Sequence, residues 1–258
     1  MQTLFLVFLF IFGACIGSFS CCQARRLHLK AAGKKPLGPR SVCLKCKTKL
    51  KWYDNLPIIS WLALKGKCRK CHAKIGAMEI ISEITFALGF LALGTTIDLA
   101  IADVASWILF FLVLLFGTTL GFLAIYDGAY GELPSVHLIL AIIFSVAVIV
   151  FKEWGSIAHL GDIVFSVLIL GGLYLILYLV SKGKWVGDGD WLLGLAIGLA
   201  LGRPWLSLIV LFLSNFLACV VMFPSLKRHK NHQIHFGPFL VVAFVMTYTF
   251  ADLLSSML

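Results

Sequence analysis

Two aspartates stand at the ends of long apolar stretches. Asp127 lies in Ile125-Tyr126-Asp127-Gly128-Ala129-Tyr130-Gly131-Glu132-Leu133-Pro134, and Asp190 in Gly187-Asp188-Gly189-Asp190. A carboxylate at a membrane boundary is costly unless it has a partner or a task. Two of them on one side of a bilayer suit proton transfer. One ionised carboxylate takes a proton from water while its protonated partner hydrogen-bonds a scissile carbonyl. Like charges a few ångströms apart do not both ionise easily, so such a pair shares a proton and titrates as one unit. Water must reach the pair, which puts it near an interface. Gly187 and Gly189 are expected to allow positive-φ backbone and close approach of a substrate strand, and Gly128, Gly131 and Pro134 to shape the turn after Asp127. The bland alternative is a pair of solvated helix ends, with Asp190 the N-cap of the helix that follows it. Asp188 and Glu132 compete for the same roles, and physics alone does not select Asp190 over Asp188.

A second constellation is made of thiols. Cys43-Leu44-Lys45-Cys46 and Cys68-Arg69-Lys70-Cys71 form two C-x-x-C pairs separated by 21 residues. Two knuckles of this kind supply four thiolates to one tetrahedral zinc, and the neighbouring lysines and arginines favour thiolate over thiol. Four thiolates leave no open coordination position, so the expected zinc is structural. The alternative is two reduced, unliganded pairs. His72, next to the second pair, is expected to be exposed and not a ligand. Trp52, Leu56, Pro57, Ile58, Ile59 and Trp61, between the knuckles, are apolar enough to dock the loop on a membrane surface or on the spans.

The elements that must position these groups are membrane helices. Of the 258 residues 60% are hydrophobic and only 13% charged, against about 25% charged in a soluble domain. This excludes a water-soluble enzyme. We expect an all-α polytopic membrane protein of about eight spans: 3–22, 78–96, 104–126, 133–151, 162–180, a short one at 191–201, 205–223 and 236–254. The short span is expected to be tilted, re-entrant or enclosed by protein. Residues 1–22 form the first span, read as retained and not as a cleaved signal. Residues 23–77 form a small zinc-binding loop domain, and 78–258 a membrane domain carrying both aspartates.

Charge sets the expected orientation. Residues 23–77 hold 15 of the 22 Lys and Arg and one acid, Asp54. With this loop inside, the inward segments 23–77, 127–132, 181–190 and 224–235 carry 20 of the 22. That is the positive-inside pattern, and it places the loop, Asp127 and Asp190 on the cytoplasmic side. The basic loop is read as facing anionic lipid, with no nucleic-acid partner. A reducing compartment also favours metal binding over disulfides.

In order along the chain, the motifs resemble those of the type IV prepilin leader peptidases, membrane aspartyl proteases of the Gly-x-Gly-Asp class. The resemblance rests on Gly17-Ser18-Phe19 with Arg26, on Pro39-Arg40-Ser41-x-Cys43-x-x-Cys46, and on Trp52-Tyr53-Asp54-Asn55-x-Pro57-x-x-Ser60-Trp61. It continues through Gly66-x-Cys68-x-x-Cys71, Asp127 with Pro134, Gly187-x-Gly189-Asp190 and Phe236-Gly237-Pro238-Phe239. It implies cleavage of the basic leader of prepilins or pseudopilins after a glycine, with Asp127 and Asp190 as the dyad and Asp188 in a variable position. It also implies, for many members, methylation of the new N-terminus with S-adenosylmethionine through the N-terminal half. The chain departs from the family pattern at Cys21 (usually Asn), at Met78-Glu79-Ile80 (usually Arg-Tyr-Pro) and at Trp191-Leu192, while Glu83 keeps an acidic position. The first two departures fall in the part tied to methylation. Two other readings fit the residues: a methyltransferase that keeps the scaffold, and a non-enzymatic scaffold or channel with the zinc loop as a partner-binding module. His28, His137 and His159 are expected at the surface or in packing. His229, His232 and His235, in a basic turn, are expected to be solvated or lipid-facing. Cys15, Cys21, Cys22 and Cys219 are read as small apolar residues.

Overall fold

The computed structural model describes all residues except 35–40, 100, 153–158, 185, 227–234, 252 and 254–258. The basic turn at 227–230, His232, Pro39 and Arg40 therefore lie outside the described residues. Packing divides the chain into two compact units, Met1–Gly94 and Thr95–Leu258.

In the first unit, α1 (Gln2–Ala31) packs along α3 (Ala77–Gly94), with a short α2 (Ile59–Ala63) in the loop between them. Small residues make the approach possible. A methyl group on Gly17 would stand 2.5 Å from the Ser82 carbonyl oxygen, and one on Gly13 would stand 2.6 Å from that of Phe86. Lipid tails give no hydrophobic drive to bring helices together, so close backbone contact supplies the attraction. The helix α1 outruns its expected span, carrying Arg25, Arg26, His28 and Lys30 beyond Cys22.

The second unit holds α4 (Val104–Tyr130), α5 (Ser135–Lys152), α6 (Leu160–Ser181), α7 (Asp188–Leu201), α8 (Pro204–Leu226) and α9 (Gly237–Thr249). Six helices of the chain are long and apolar enough to cross a membrane, among the described residues; α7 and α9 are shorter. Apart from two isolated bridges in the loop, the described chain is helical. Asp103 caps α4 by accepting the Ser106 N–H at 2.8 Å, and these hydrogen bonds hold its carboxyl below the usual range. Large apolar side chains such as Phe165, Leu179 and Phe212 stay exposed, as a lipid-facing surface requires.

The short α7 is the centre of this unit. It is buried over most of its surface, packed by α5 and α6. Gly194 and Gly198, four residues apart, let it press on α6: a methyl on Gly198 would lie 2.8 Å from the Ser166 carbonyl oxygen, and one on Gly194 would lie 3.1 Å from that of Leu170. Opposite them α6 carries a π-helical turn at Leu168–Gly172, and Gly171 of that turn faces Leu195. The Ser166 hydroxyl donates to the Gly198 carbonyl at 2.7 Å and lies 2.6 Å from the Ser207 hydroxyl. Phe116 and Phe244 meet edge to face at 5.3 Å in the core. Gly198→Ala is expected to lower thermal stability in detergent, by about 1–3 kcal/mol from overpacking. Gly89→Ala, which meets no described atom within 4 Å, is expected to keep or slightly raise the melting temperature of the purified protein, since alanine favours a helix interior over glycine by about 0.5–1 kcal/mol.

Candidate functional sites: a thiol cluster and a carboxylate pair

The thiol cluster is built by local backbone. Each knuckle is closed by the same hydrogen bond, Lys47 N–H to Cys43 O and His72 N–H to Cys68 O, both 2.9 Å. Lys47 and His72 take the same left-handed φ, 57° and 53°, so the two knuckles are copies of one turn. Their flanks pair antiparallel, Val42 with Lys49 and Lys67 with Lys74. The four sulfurs lie within 4.8 Å of one another, with Cys43–Cys71 at 3.7 Å and Cys46–Cys68 at 4.0 Å. Zinc–sulfur bonds of 2.3 Å in a tetrahedron put sulfurs about 3.8 Å apart, so the cluster fits a zinc-binding loop. The Thr48 hydroxyl and backbone pull the Cys46 thiol down to about 6, and the backbone N–H groups of Cys71 and Lys70 lower Cys68. Thiolate is the form a metal binds. His72 is exposed, as expected.

The rest of the loop is fastened to α3. Ile58, a β-branched residue at φ 62°, is strained, and its N–H donates to Glu83 Oε2 at 2.7 Å. Arg69 reaches Asp54 at 2.8 Å and lies over the Tyr53 ring. Trp52, Ile59 and Leu62 remain exposed. Between loop and helices is a cavity of about 460 Å3 lined by Cys21, Arg25, Arg26, Trp61, Glu79 and Glu83, among others. Arg25 pairs with Glu79 Oε1 at its edge. Glu79 Oε2 and Trp61 Nε1 are buried without a hydrogen-bond partner among the described residues.

The carboxylate pair is built by chain segments far apart. Asp127 is not at the end of its helix: α4 runs one turn further, to Tyr130, because Gly131 at φ 71° supplies the left-handed cap and donates to Asp127 O. Its side chain is buried, and Oδ2 accepts the Gly237 N–H at 3.0 Å from the start of α9. Asp190 is not the N-cap of α7. Gly187 holds that position and Asp190 sits in the first turn, reaching back to accept the Gly187 N–H at 3.0 Å. This is the returning half of a capping box. Gly187 does not have positive φ (−71°), and Gly189 is absent from the positive-φ glycines. The need at 189 is space: a methyl there would stand 2.6 Å from Leu133 Cβ. That contact sets the turn after α4 against the first turn of α7. Asp127 and Asp190 thus come within electrostatic reach of each other, with Asp188 also acting on Asp190. Asp188 and Glu132 are exposed, unlike Asp127.

His235 departs from expectation. It is neither lipid-facing nor fully solvated: its Nδ1 lies 3.9 Å from Asp127 Oδ1, with 38% of the side chain exposed against 8% for Asp127. Its ring lies over Gly131, where a methyl would meet Cε1 at 2.7 Å. Gly237 was legible only as part of a motif. Its function in the fold is to bring an N–H to Asp127, and a methyl there would stand 2.9 Å from Oδ2. Tyr174 of α6 meets Phe236 in a tilted ring contact at 5.3 Å, is hydrogen-bonded by Asn215, and is within electrostatic reach of Asp190. His137 packs on Phe122 at 4.1 Å, and His159 is exposed beside Asp162.

Fold and sites define a polytopic helical membrane protein with a four-thiol loop and two carboxylates, one buried and one half-buried, in the terminal turns of helices. Residues 11–97 match the bacterial peptidase A24 N-terminal domain. The chain is 30% identical over 213 residues to the prepilin leader peptidase/N-methyltransferase of Aeromonas salmonicida (strain A449), covering 80% of this chain and 69% of the relative. It is 28% identical over 258 residues to the protein of the same name from Vibrio cholerae, covering 96% and 98%. A shorter match, 40% over 89 residues, covers 34% of this chain and 26% of the Myxococcus xanthus protein of that name. The chain belongs to the prepilin leader peptidase/N-methyltransferase family. No solved structure matches it significantly.

The thiol geometry predicts one bound zinc per purified chain. Cys46→Ser and Cys68→Ser are each expected to abolish it and to lower the melting temperature, since metal binding of this kind contributes on the order of 10 kcal/mol to folding. Metal analysis beside a thermal melt checks both; a metal-free wild type that melts like the variants overturns the assignment.

Proposed function

We propose that the chain is a membrane aspartyl endopeptidase that removes the basic leader of type IV prepilins or pseudopilins at the cytoplasmic face of the bacterial inner membrane, with Asp127 and Asp190 as its dyad. The observation that carries this reading is that Asp127 and Asp190, 63 residues apart in the chain, lie in one helical unit within electrostatic reach of each other. Each gives one oxygen to a backbone N–H, Asp127 to Gly237 and Asp190 to Gly187. Neither makes a further hydrogen bond among the described residues, so an oxygen of each is left for water, a shared proton and the substrate carbonyl. The ionised acid takes a proton from water, the oxygen attacks the scissile carbonyl, and the protonated acid gives its proton to the carbonyl oxygen. Collapse of the tetrahedral intermediate expels the amine, which takes the proton that the first acid drew from water, while the other acid takes back a hydroxyl proton of the intermediate, and the pair returns to its one-proton state. The charge count supports the orientation: the segments assigned inward carry 20 of the 22 Lys and Arg. The four-thiolate zinc is structural in this reading and takes no part in cleavage.

A second activity, N-methylation of the new N-terminus, is favoured by the cavity of the first unit. A buried carboxylate oxygen and an indole N–H without partners are costly unless a ligand satisfies them. Glu79, Trp61 and Arg26 would hold S-adenosylmethionine there, Glu79 facing its cationic part. When bound it supplies an electrophilic methyl group.

Cleavage of a prepilin by purified full-length protein tests the first activity. Asp127→Asn and Asp190→Asn are each expected to lose about 10²-fold or more in rate, and Asp188→Asn to keep most of it. Normal processing by either dyad variant would falsify the assignment. For the second activity, Glu79→Gln is expected to cleave normally and to leave the mature N-terminus unmethylated by mass spectrometry when S-adenosylmethionine is supplied; full methylation by this variant removes Glu79 from the donor site.

A further inference from the structure

The dyad reading leaves one polar group at the site without a task, the imidazole of His235. Its position is not that of a chance surface histidine. It precedes Phe236 and Gly237, so the same short segment that sends a backbone N–H to Asp127 Oδ2 at 3.0 Å brings the ring to Oδ1, 3.9 Å away. The two oxygens of one buried carboxylate are thus faced by two consecutive features of one turn. The ring is held by its contact over Gly131, the residue that ends α4, and the next residue, Phe236, is anchored by a tilted ring contact with Tyr174. Its charge also reaches Asp190.

The titratable and charged groups around His235 are Asp127 and Tyr130 of α4, Glu132 beyond Gly131, Asp188 and Asp190 of α7, and Tyr174 of α6. All are acids or phenols. No lysine or arginine among the described residues forms an ion pair with Asp127 or Asp190. His235 is therefore the cation-forming side chain that this site presents to its acids among the described residues.

We propose that His235 is a positioning residue of the dyad: its ring, 3.9 Å from Oδ1, orients Asp127 and, when it carries charge, favours the ionised form of that carboxyl, leaving the shared proton on Asp190. The proposal rests on the dyad reading above. A positive charge near a carboxylate favours its ionised form, and a group half open to water delivers less of that effect than a buried one. Because the cation acts on both acids, it favours loss of the first and of the second proton alike. Its removal moves both limbs of a bell-shaped rate profile toward higher pH.

The test is the pH profile of kcat/KM for cleavage of a peptide with a basic leader ending in glycine before an apolar helix, using full-length protein in detergent. His235→Gln is expected to shift both limbs upward by roughly half to one pH unit. His235→Lys, which keeps the charge, is expected to hold both limbs at or below their wild-type positions. A His235→Gln profile that stays in place, or that is lowered by one factor at every pH, overturns the proposal and leaves only packing for the ring. If His235→Gln does not fold, His235→Lys decides alone: limbs displaced upward overturn the proposal. Asp127→Asn measured beside them separates the two ideas. If it cleaves normally the dyad itself is wrong, whereas an inactive Asp127→Asn with an unmoved His235→Gln profile removes only the part given to His235.

Discussion

An acid buried at the end of a membrane helix has to find its hydrogen-bond donors in protein, because the hydrocarbon around it offers none. Asp127 finds its donor 110 residues away, in the backbone N–H of Gly237. That one bond fixes where α9 must begin, and therefore how α9 lies along α4 and under the Phe116–Phe244 contact. It also explains the residue type at 237, since any side chain there would run into the carboxylate it serves. Asp190 solves the same problem locally by turning back onto Gly187. The two solutions together hold both acids at the same end of the unit while leaving part of each open to chemistry.

Bringing the acids together is a task for small residues. Helix α7 is short and enclosed, and it enters the bundle only because Gly189, Gly194 and Gly198 clear Leu133, Leu170 and Ser166. The π turn in α6 belongs to the same arrangement, with Gly171 against Leu195. Van der Waals contact and buried hydroxyl hydrogen bonds such as Ser166 to Gly198 supply the attraction that water would supply to a soluble bundle. The first unit follows the same rule with Gly13 and Gly17 of α1 on α3. In both units the glycines act by taking no space, and the ones that need left-handed backbone, such as Gly131, are a separate set.

Much of this was legible in the sequence for identifiable reasons. Apolar runs of membrane length show spans directly, so the long helices fall where expected. The thiol cluster was legible because its geometry is local: two C-x-x-C pairs make two like turns wherever the rest of the chain goes. The aspartates were read as a pair because charge counting assigns them to one face, and the structure places both in the second unit. What was hidden is whatever depends on contact between distant segments. The reach of α4 to Tyr130 depends on Gly131 as a cap, while hydropathy marks only where apolar residues stop. Gly189 was read as a flexible residue and serves as a close-packed one. His235 was read from its basic neighbours, and those say nothing about Asp127, which lies on another helix. The cavity of the first unit is assembled from α1, the loop and the start of α3, so no single stretch announces it.

The two sites differ in how they treat charge, and this separates their tasks. At the thiol cluster four sulfurs converge at the spacing of a tetrahedral metal site, and local hydrogen bonds favour the anionic form of Cys46 and Cys68. A centre so enclosed can hold a metal and brace a loop, but it has no position for a substrate. At the carboxylate pair the protein supplies one backbone donor to each acid and no lysine or arginine among the described residues. Full neutralisation by such cations would pin both groups as anions and, in the dyad proposed above, leave no proton to share. A titratable imidazole at 3.9 Å is a weaker and adjustable counter-charge. In the mechanism proposed above, such a group would bias which acid is ionised without removing the shared proton.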